Sequence, residues 1–368
     1  TGNAASSWET VVPTNTGTYR WRQSLVINKD TMYAFGGYNG EGCCTKNIYN
    51  DVRSFDFTTK TWATVSTTGT KPANREFHKA AVHGGKMYVF GGMGGTPNVC
   101  DGFLNDVVSL DLLTARWVTH TTTGATPTVR GYHSLVVWGS KLILFGGQSG
   151  CGHIDYYKDD THTLELSTEP HVWSKLTTTG PAPLRSGHVA HVLGDSMFVF
   201  GGSTGYNLPM SNTLHRLNLL TNAWSTVAVT GNTVVPKRTQ FASVLTGSSI
   251  FVFGGLGVGC AGNVHSGSWC SDVFALLISD TDQDRAVLYN TVIGATIPLP
   301  LYDHSAVLHG DDIVAYGGYW SADGSITTDG RVRSLGTKGL QTSTTLVTTG
   351  QGYLGVAIDP VNSAFALI

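Results

Sequence analysis

Four histidines stand at one recurring place in this chain: His78, His133, His188 and His304, each 13 residues before a Gly-Gly pair. Imidazoles gathered round one axis suggest metal chemistry, but ligands must converge to about 2.0–2.1 Å from one ion, and repeated units hold equivalent positions apart. Hydrogen-bonded structural histidines are the expectation. Two acidic stretches raise the same question. Asp155-Tyr156-Tyr157-Lys158-Asp159-Asp160-Thr161-His162 offers carboxylates and an imidazole, yet Asp160 falls in register with Asp51, Asp106 and Asp272, as a structural turn residue would. Asp280-Thr281-Asp282-Gln283-Asp284 alternates like a calcium loop, but Arg285 takes the place of the required glycine and no glutamate follows at the twelfth position. No nucleophile, base and acid stand in a usable arrangement. No catalytic residue, metal ligand or cofactor is therefore assigned.

The elements that position these residues are set by a repeat. Tyr33-Ala34-Phe35-Gly36-Gly37 recurs at Gly91-Gly92, Gly146-Gly147, Gly201-Gly202, Gly254-Gly255 and Gly317-Gly318, the first three steps being 55 residues each. Sixteen residues before the first five pairs stand Arg20, Arg75, Arg130, Arg185 and Arg238, with Leu301 at the sixth place; Trp62, Trp117, Trp173 and Trp224 follow the first four pairs. Between these landmarks, alternating apolar runs are separated by turns such as Gly84-Gly85 and Gly139-Ser140, which is hairpin patterning. Each period then holds four strands. Strand a follows the arginine, b ends at the glycine pair, c carries Asn50-Asp51-Val52 or its equivalent, and d begins at the tryptophan. The glycine pairs are expected to serve close approach of neighbouring units rather than phosphate binding, and the tryptophans to be buried between units.

This register resembles the kelch repeat, whose members are β-propellers built of four-stranded blades. The resemblance implies an all-β fold, a single propeller over residues 1–368. Residues 1–12 supply a closing d strand, since Trp8-Glu9-Thr10-Val11 matches Trp62-Ala63-Thr64-Val65. Residues 341–368 match strands a and b of a partial last blade, so seven blades are favoured, with six as the alternative in which the N-terminal strand closes the sixth. Residues 155–162 are also faintly similar to the iron-binding stretch of plant specifier proteins, although the spacing departs from theirs.

Cys43, Cys44, Cys100, Cys151, Cys260 and Cys270 all fall in b-to-c loops, which share one face of an up-and-down propeller. Such clustering suggests disulfides and an oxidising, extracellular or cell-surface location, with Cys260–Cys270 the favoured pair. The b-to-c loops are long and the a-to-b turns short, so the cysteine-bearing face is the expected binding face. Two residues past each arginine position come Arg22, Phe77, Tyr132, Gly187, Gln240 and Asp303. Unlike the arginines these differ from unit to unit, as one asymmetric partner would require; Arg22, Phe77, Tyr132, Gln240 and Asp303 are the candidate binding residues.

Charged residues are 13% of the chain, against about 25% in ordinary domains, and the formal charge is -2 without basic runs, so nucleic acid is not an expected partner. No apolar stretch has the length of a membrane span. The expected function is a non-enzymatic extracellular interaction or scaffolding module that binds a protein or glycan on the face of the b-to-c loops, with other domains or subunits of an extracellular assembly as further expected partners. The alternative is a kelch-scaffold enzyme, such as a galactose-oxidase-like copper radical oxidase, whose motifs find no convincing match here.

Overall fold

The computed structural model describes residues 9–11, 13–15, 19–41, 45–95, 102–150, 156–205, 210–231, 234–258, 269–290, 301–319, 332–336, 356–358 and 365–367. Among these residues the regular structure is β-strand, and no helix is long and apolar enough to cross a membrane.

Each repeat folds as an antiparallel sheet in the order a-b-c-d. In blade 2, Lys79–His83 pairs with Lys86–Phe90, that strand with Val107–Asp111, and the last with Arg116–His120. Gly84 and Gly85 both have positive φ, +56° and +75°, which matches the hairpin turn to the twist of the strands. The inner strands Ser24–Asn28, Lys79–His83, Ser134–Trp138, Val189–Leu193, Ala242–Thr246 and Ser305–His309 each contact the next, and the last contacts the first. They form a closed ring around a central channel.

Among the described residues that ring has six members, against the seven favoured from sequence. The N-terminal strand Glu9–Val11 pairs with Val332–Gly336, in the register Glu9 to Ser334 and Val11 to Val332, and so completes the sixth blade. Val356–Ile358 and Phe365–Leu367, assigned from sequence to a partial seventh blade, pair with each other in a separate two-stranded hairpin. With the sixth blade completed by the N-terminus, the inner ring is already closed and leaves no gap for another unit. Trp8 lies outside the described residues.

Neighbouring blades are joined where the repeat is strictest. The second glycine of each pair donates its N–H to the carbonyl of the next blade's arginine position: Gly37 to Arg75, Gly92 to Arg130, Gly147 to Arg185, Gly202 to Arg238 and Gly255 to Leu301, all at 2.8–2.9 Å, and Gly318 to Arg20 at 3.2 Å. A Cβ on Gly36 would sit 2.7 Å from the Arg75 carbonyl oxygen, so glycine is required by contact as well as by its φ of +63°. Each d-strand tryptophan packs on the phenylalanine before the glycine pair of the preceding blade: Trp117 on Phe35, Trp173 on Phe90, and Trp224 on Phe145, with ring centroids 4.9–5.3 Å apart. Trp62 meets Tyr316 of blade 6 in the same way. The core is thus a set of clusters between blades.

Candidate functional site

The recurring arginines are buried, all but Arg185 fully so, and structural. Arg20 Nη1 donates to the Gly36 carbonyl and pairs with Asp51 through two hydrogen bonds; Arg75 does the same with Gly91 and Asp106, and Arg130 with Gly146 and Asp160. Arg238 bonds Gly254 and Asp272. Each guanidinium therefore fastens the end of strand b to the start of strand c. The exception is blade 4. There Thr213 stands at the aspartate position, and Arg185 bonds Ser211 Oγ and Thr213 Oγ1 without a carboxylate partner among the described residues. Burial lowers the Arg185 pKa to about 10.

Of the four histidines, His78 and His188 are hydrogen-bonded as expected, whereas both ring nitrogens of His133 and of His304 are buried without a hydrogen-bond partner. His78 Nε2 shares a hydrogen bond with Ser24 Oγ across the blade junction, and His188 with Ser134 Oγ. Their rings abut Phe35 and Phe145 of the preceding blades. Burial holds His188 and His304 down to about 3, and drives His78 and His133 well below the usual imidazole value. Asp160 is held by Arg130 and His162, not by a metal-like shell, and Asp282 pairs with Arg285 in an exposed turn. Asp155 lies outside the described residues. So do Cys43, Cys44, Cys100, Cys151 and Cys260; Cys270 is buried and disulfide-bonded.

The six varied residues converge as the register predicts. Arg22, Phe77, Tyr132, Gly187, Gln240 and Asp303 all have φ between +54° and +65°. Each donates its N–H to the carbonyl of the previous one: Phe77 to Arg22, Tyr132 to Phe77, Gly187 to Tyr132, Gln240 to Gly187, Asp303 to Gln240, and Arg22 to Asp303, at 2.9–3.2 Å. A closed collar of six backbone hydrogen bonds therefore rings the channel mouth. The left-handed conformation sets the turn from the incoming d-to-a loop into strand a and aims each N–H round the axis. Only one of the six positions carries the residue that adopts it without strain, Gly187.

Side chains then make this symmetric collar asymmetric. Arg22 donates from Nε to Asp303 Oδ2 at 3.0 Å and from Nη1 to Glu76 Oε2 at 2.9 Å, and its guanidinium lies 3.7 Å from the Trp21 ring centroid and 4.2 Å from that of Phe77. Phe77 stacks on Tyr132 with centroids 3.7 Å apart. Burial raises Asp303 to about 6, because Arg22 opposes the shift but is shared with the second carboxylate, Glu76. The Tyr132 hydroxyl is pushed well above its usual value, chiefly by burial. The space between these side chains is about 40 Å³; below it the channel opens to about 190 Å³, and Lys79 lines both.

Sequence reasoning missed the surroundings of the collar. One residue past the arginine position and one past the glycine pair meet as isolated bridges on the loop face: Trp21 with Tyr38, Tyr302 with Tyr319, Gly131 with Gln148, and Ser186 with Ser203. On the side of blades 5, 6 and 1 these positions, with Trp269, form one aromatic cluster of Trp21, Tyr38, Trp269, Tyr302 and Tyr319, with adjoining centroids 4.9–5.9 Å apart. On the side of blades 3 and 4 the same positions are small and polar. Aligning the six arginine-plus-one residues, Trp21, Glu76, Gly131, Ser186, Thr239 and Tyr302, would have exposed this gradient.

Comparison with known proteins agrees with this geometry. A solved structure titled "Structure of YjhT" superposes with a TM-score of 0.65 at 16% identity, covering 87% of this chain and 96% of that one, a likeness of fold. Human Kelch domain-containing protein 3 is 31% identical over 64% of this chain and 61% of its own length; the Leucine-zipper-like transcriptional regulator 1 homolog of Drosophila melanogaster is 29% identical over 65% of this chain and 24% of its own. The chain thus spans between about a quarter and three-fifths of these relatives. The family described as the KLHDC2/KLHL20/DRC7 Kelch-repeats domain matches residues 3–202 and 187–352. With blades fastened by its repeated glycines, arginines and tryptophans, the chain belongs to the kelch-repeat family.

Proposed function

We propose that this propeller is a non-enzymatic interaction module that binds a protein at the channel mouth on the face of the b-to-c loops. A kelch propeller is a frame for protein interaction in the first place, and the mouth is where this one departs from its own symmetry. The observation that carries the reading is the collar: five of six positions keep a side chain in a backbone conformation that costs a non-glycine residue roughly 1 kcal/mol or more, and strain of this kind gathers at functional sites. The beneficiaries are an arginine, two stacked aromatics, an amide and a carboxylate. Arginine and tyrosine are among the usual anchors of binding hot spots.

With about 40 Å³ free at the mouth, a partner engages the rim and not the channel, presenting an apolar or aromatic side chain to the cluster of Tyr302, Tyr319 and Trp269 and a polar group to Arg22, Gln240 or Asp303. A glycan is the second reading, since stacking on those aromatic rings would suit a sugar face as well. We further place the protein outside the cytosol, from the clustering of all six cysteines in loops of one face. Other domains or subunits of an extracellular assembly are natural partners there.

The test uses a binding peptide isolated by display selection on the immobilised propeller. Replacing Phe77 and Tyr132 together should weaken it, whereas charged substitutions at the opposite turns, Gly139→Asp with Ser140→Lys, should not. Loss with the turn variant alone would place binding on the other face.

A further inference from the structure

Far from the mouth, where the outer strands of blades 2 and 3 meet, two histidines and a glutamate converge. His120 ends the d strand Arg116–His120 of blade 2, His171 begins the d strand His171–Lys175 of blade 3, and Glu169 lies in the turn just before it. The two strands are tied by the segment Thr122–Gly124, which runs parallel to the second with Thr122 opposite His171. Both positions break the repeat. His120 stands where the other blades have Val65, Leu176 and Val227, and His171 where they have Lys60, Ala115 and Asn222.

The chemistry of the donor atoms is more telling than their types. His171 Nδ1 lies 2.6 Å from the Thr168 carbonyl oxygen, an obligate acceptor, so Nδ1 carries the proton and Nε2 presents its lone pair. That Nε2 is buried without a hydrogen-bond partner. His120 is oriented from its far side by Ser109 Oγ, 2.7 Å from Nε2, which leaves Nδ1 turned toward Glu169. Glu169 Oε1 lies 3.5 Å from His120 Nδ1 and 3.4 Å from His171 Nε2, too long for good hydrogen bonds. An ion bound tetrahedrally at 2.0–2.1 Å separates its ligand atoms by roughly 3.3–3.4 Å. The donor atoms all lie within 4.8 Å of one another.

Two imidazole nitrogens and a carboxylate oxygen converging on one point, with both imidazoles held by hydrogen bonds on their outer nitrogens, form the donor set and outer shell of a transition-metal site. We propose that His120, Glu169 and His171 bind a divalent transition-metal ion of the zinc class, which clamps the rims of blades 2 and 3 together. Two nitrogens and one carboxylate suit zinc or its neighbours rather than calcium or magnesium, which take oxygen shells. Glu169 is exposed, so the ion would be loaded from solvent and would keep a position open for water or for a group from a partner.

The test is calorimetric titration of Zn²⁺ into the whole chain after treatment with chelator, with thermal unfolding followed in parallel. One equivalent should bind saturably and raise the unfolding temperature, as any ligand selective for the folded state does. Because His171 is buried, Glu169→Gln is the decisive variant: it should fold as the parent does, bind Zn²⁺ at least about tenfold more weakly and lose most of the thermal shift. His120→Gln should act in the same direction, and His309→Ala, at an exposed imidazole paired with Asp30, should change neither reading. Equal affinity in the parent and in Glu169→Gln, or only weak binding spread over several histidines, would overturn the assignment.

Discussion

The arginine positions and the positions two residues later occupy the same six places around the axis, on backbone of one shape, yet their side chains obey opposite rules. At the first, five of six residues are arginine, and four of these are paired with a carboxylate and a carbonyl of their own blade. At the second, the backbone is held to one geometry by a closed collar of hydrogen bonds while the side chains run from glycine to phenylalanine. Constancy of side chain on constant backbone marks what the fold needs. Diversity on constant backbone marks what the fold is free to use. Blade 4 sharpens the contrast, because there the arginine persists without its aspartate and the collar residue is the unstrained Gly187.

The largest effect is expected at the ion-paired belt. Arg130→Met leaves the Asp160 carboxylate with His162 alone and strands the Gly146 carbonyl, and should cost about 3 kcal/mol in urea unfolding. The same change at Arg185 strands no carboxylate and relieves a desolvated cation, so it should cost far less; equal losses at the two sites would break the comparison.

Next comes the collar. Phe77→Gly with Tyr132→Gly removes the stacked anchors while giving the backbone the residue it already accepts at Gly187, and a peptide bound there should lose about 2 kcal/mol, near thirtyfold in affinity. Circular dichroism should be unchanged. Loss of the strand signal would show that these residues serve the fold instead.

A smaller effect separates the two rings by pH. Burial holds His188 and His304 near 3 and His191 near 4, so the unfolded chain takes up protons below about pH 6.5 that the folded chain refuses, and stability falls as pH drops from 6.5 toward 4. Asp303 works the other way. Its carboxyl, raised to about 6, keeps a proton in the folded state that the unfolded chain has lost above about pH 4, so its contribution favours folding at pH 4 over pH 7. Asp303→Asn should therefore steepen the loss between pH 7 and 4 by about 1 kcal/mol. A shallower profile would mean that Arg22 keeps Asp303 ionised. Of similar size is Thr213→Asp, which returns to Arg185 the partner its counterparts possess and should add about 1 kcal/mol of stability.

How far the sequence carried the account can be seen residue by residue. Glycine pairs, arginines and tryptophans were legible because each meets the same neighbour in every blade, so one contact is written several times. The blade count was not, because Glu9–Val11 has the pattern of a d strand for any c strand that lacks one; only its register with Ser334 and Val332 decides the matter. The convergence of Arg22, Phe77, Tyr132, Gln240 and Asp303 followed from strand direction, but the collar of N–H groups did not, since nothing in those residue types announces a positive φ. His120 and His171 were invisible for a third reason. They lie in different repeats, 51 residues apart, and meet only because outer strands of adjacent blades touch at the rim.

The central claim, that the varied collar is the working surface, is tested most directly by hydrogen–deuterium exchange of the propeller with and without a saturating selected peptide. The account predicts protection in peptides covering the mouth and its rim, around residues 19–23, 75–78, 130–133 and 301–304, with the opposite turns at Gly84-Gly85 and Gly139-Ser140 unchanged. Protection confined to those turns, with the collar exchanging as in the free protein, would contradict it.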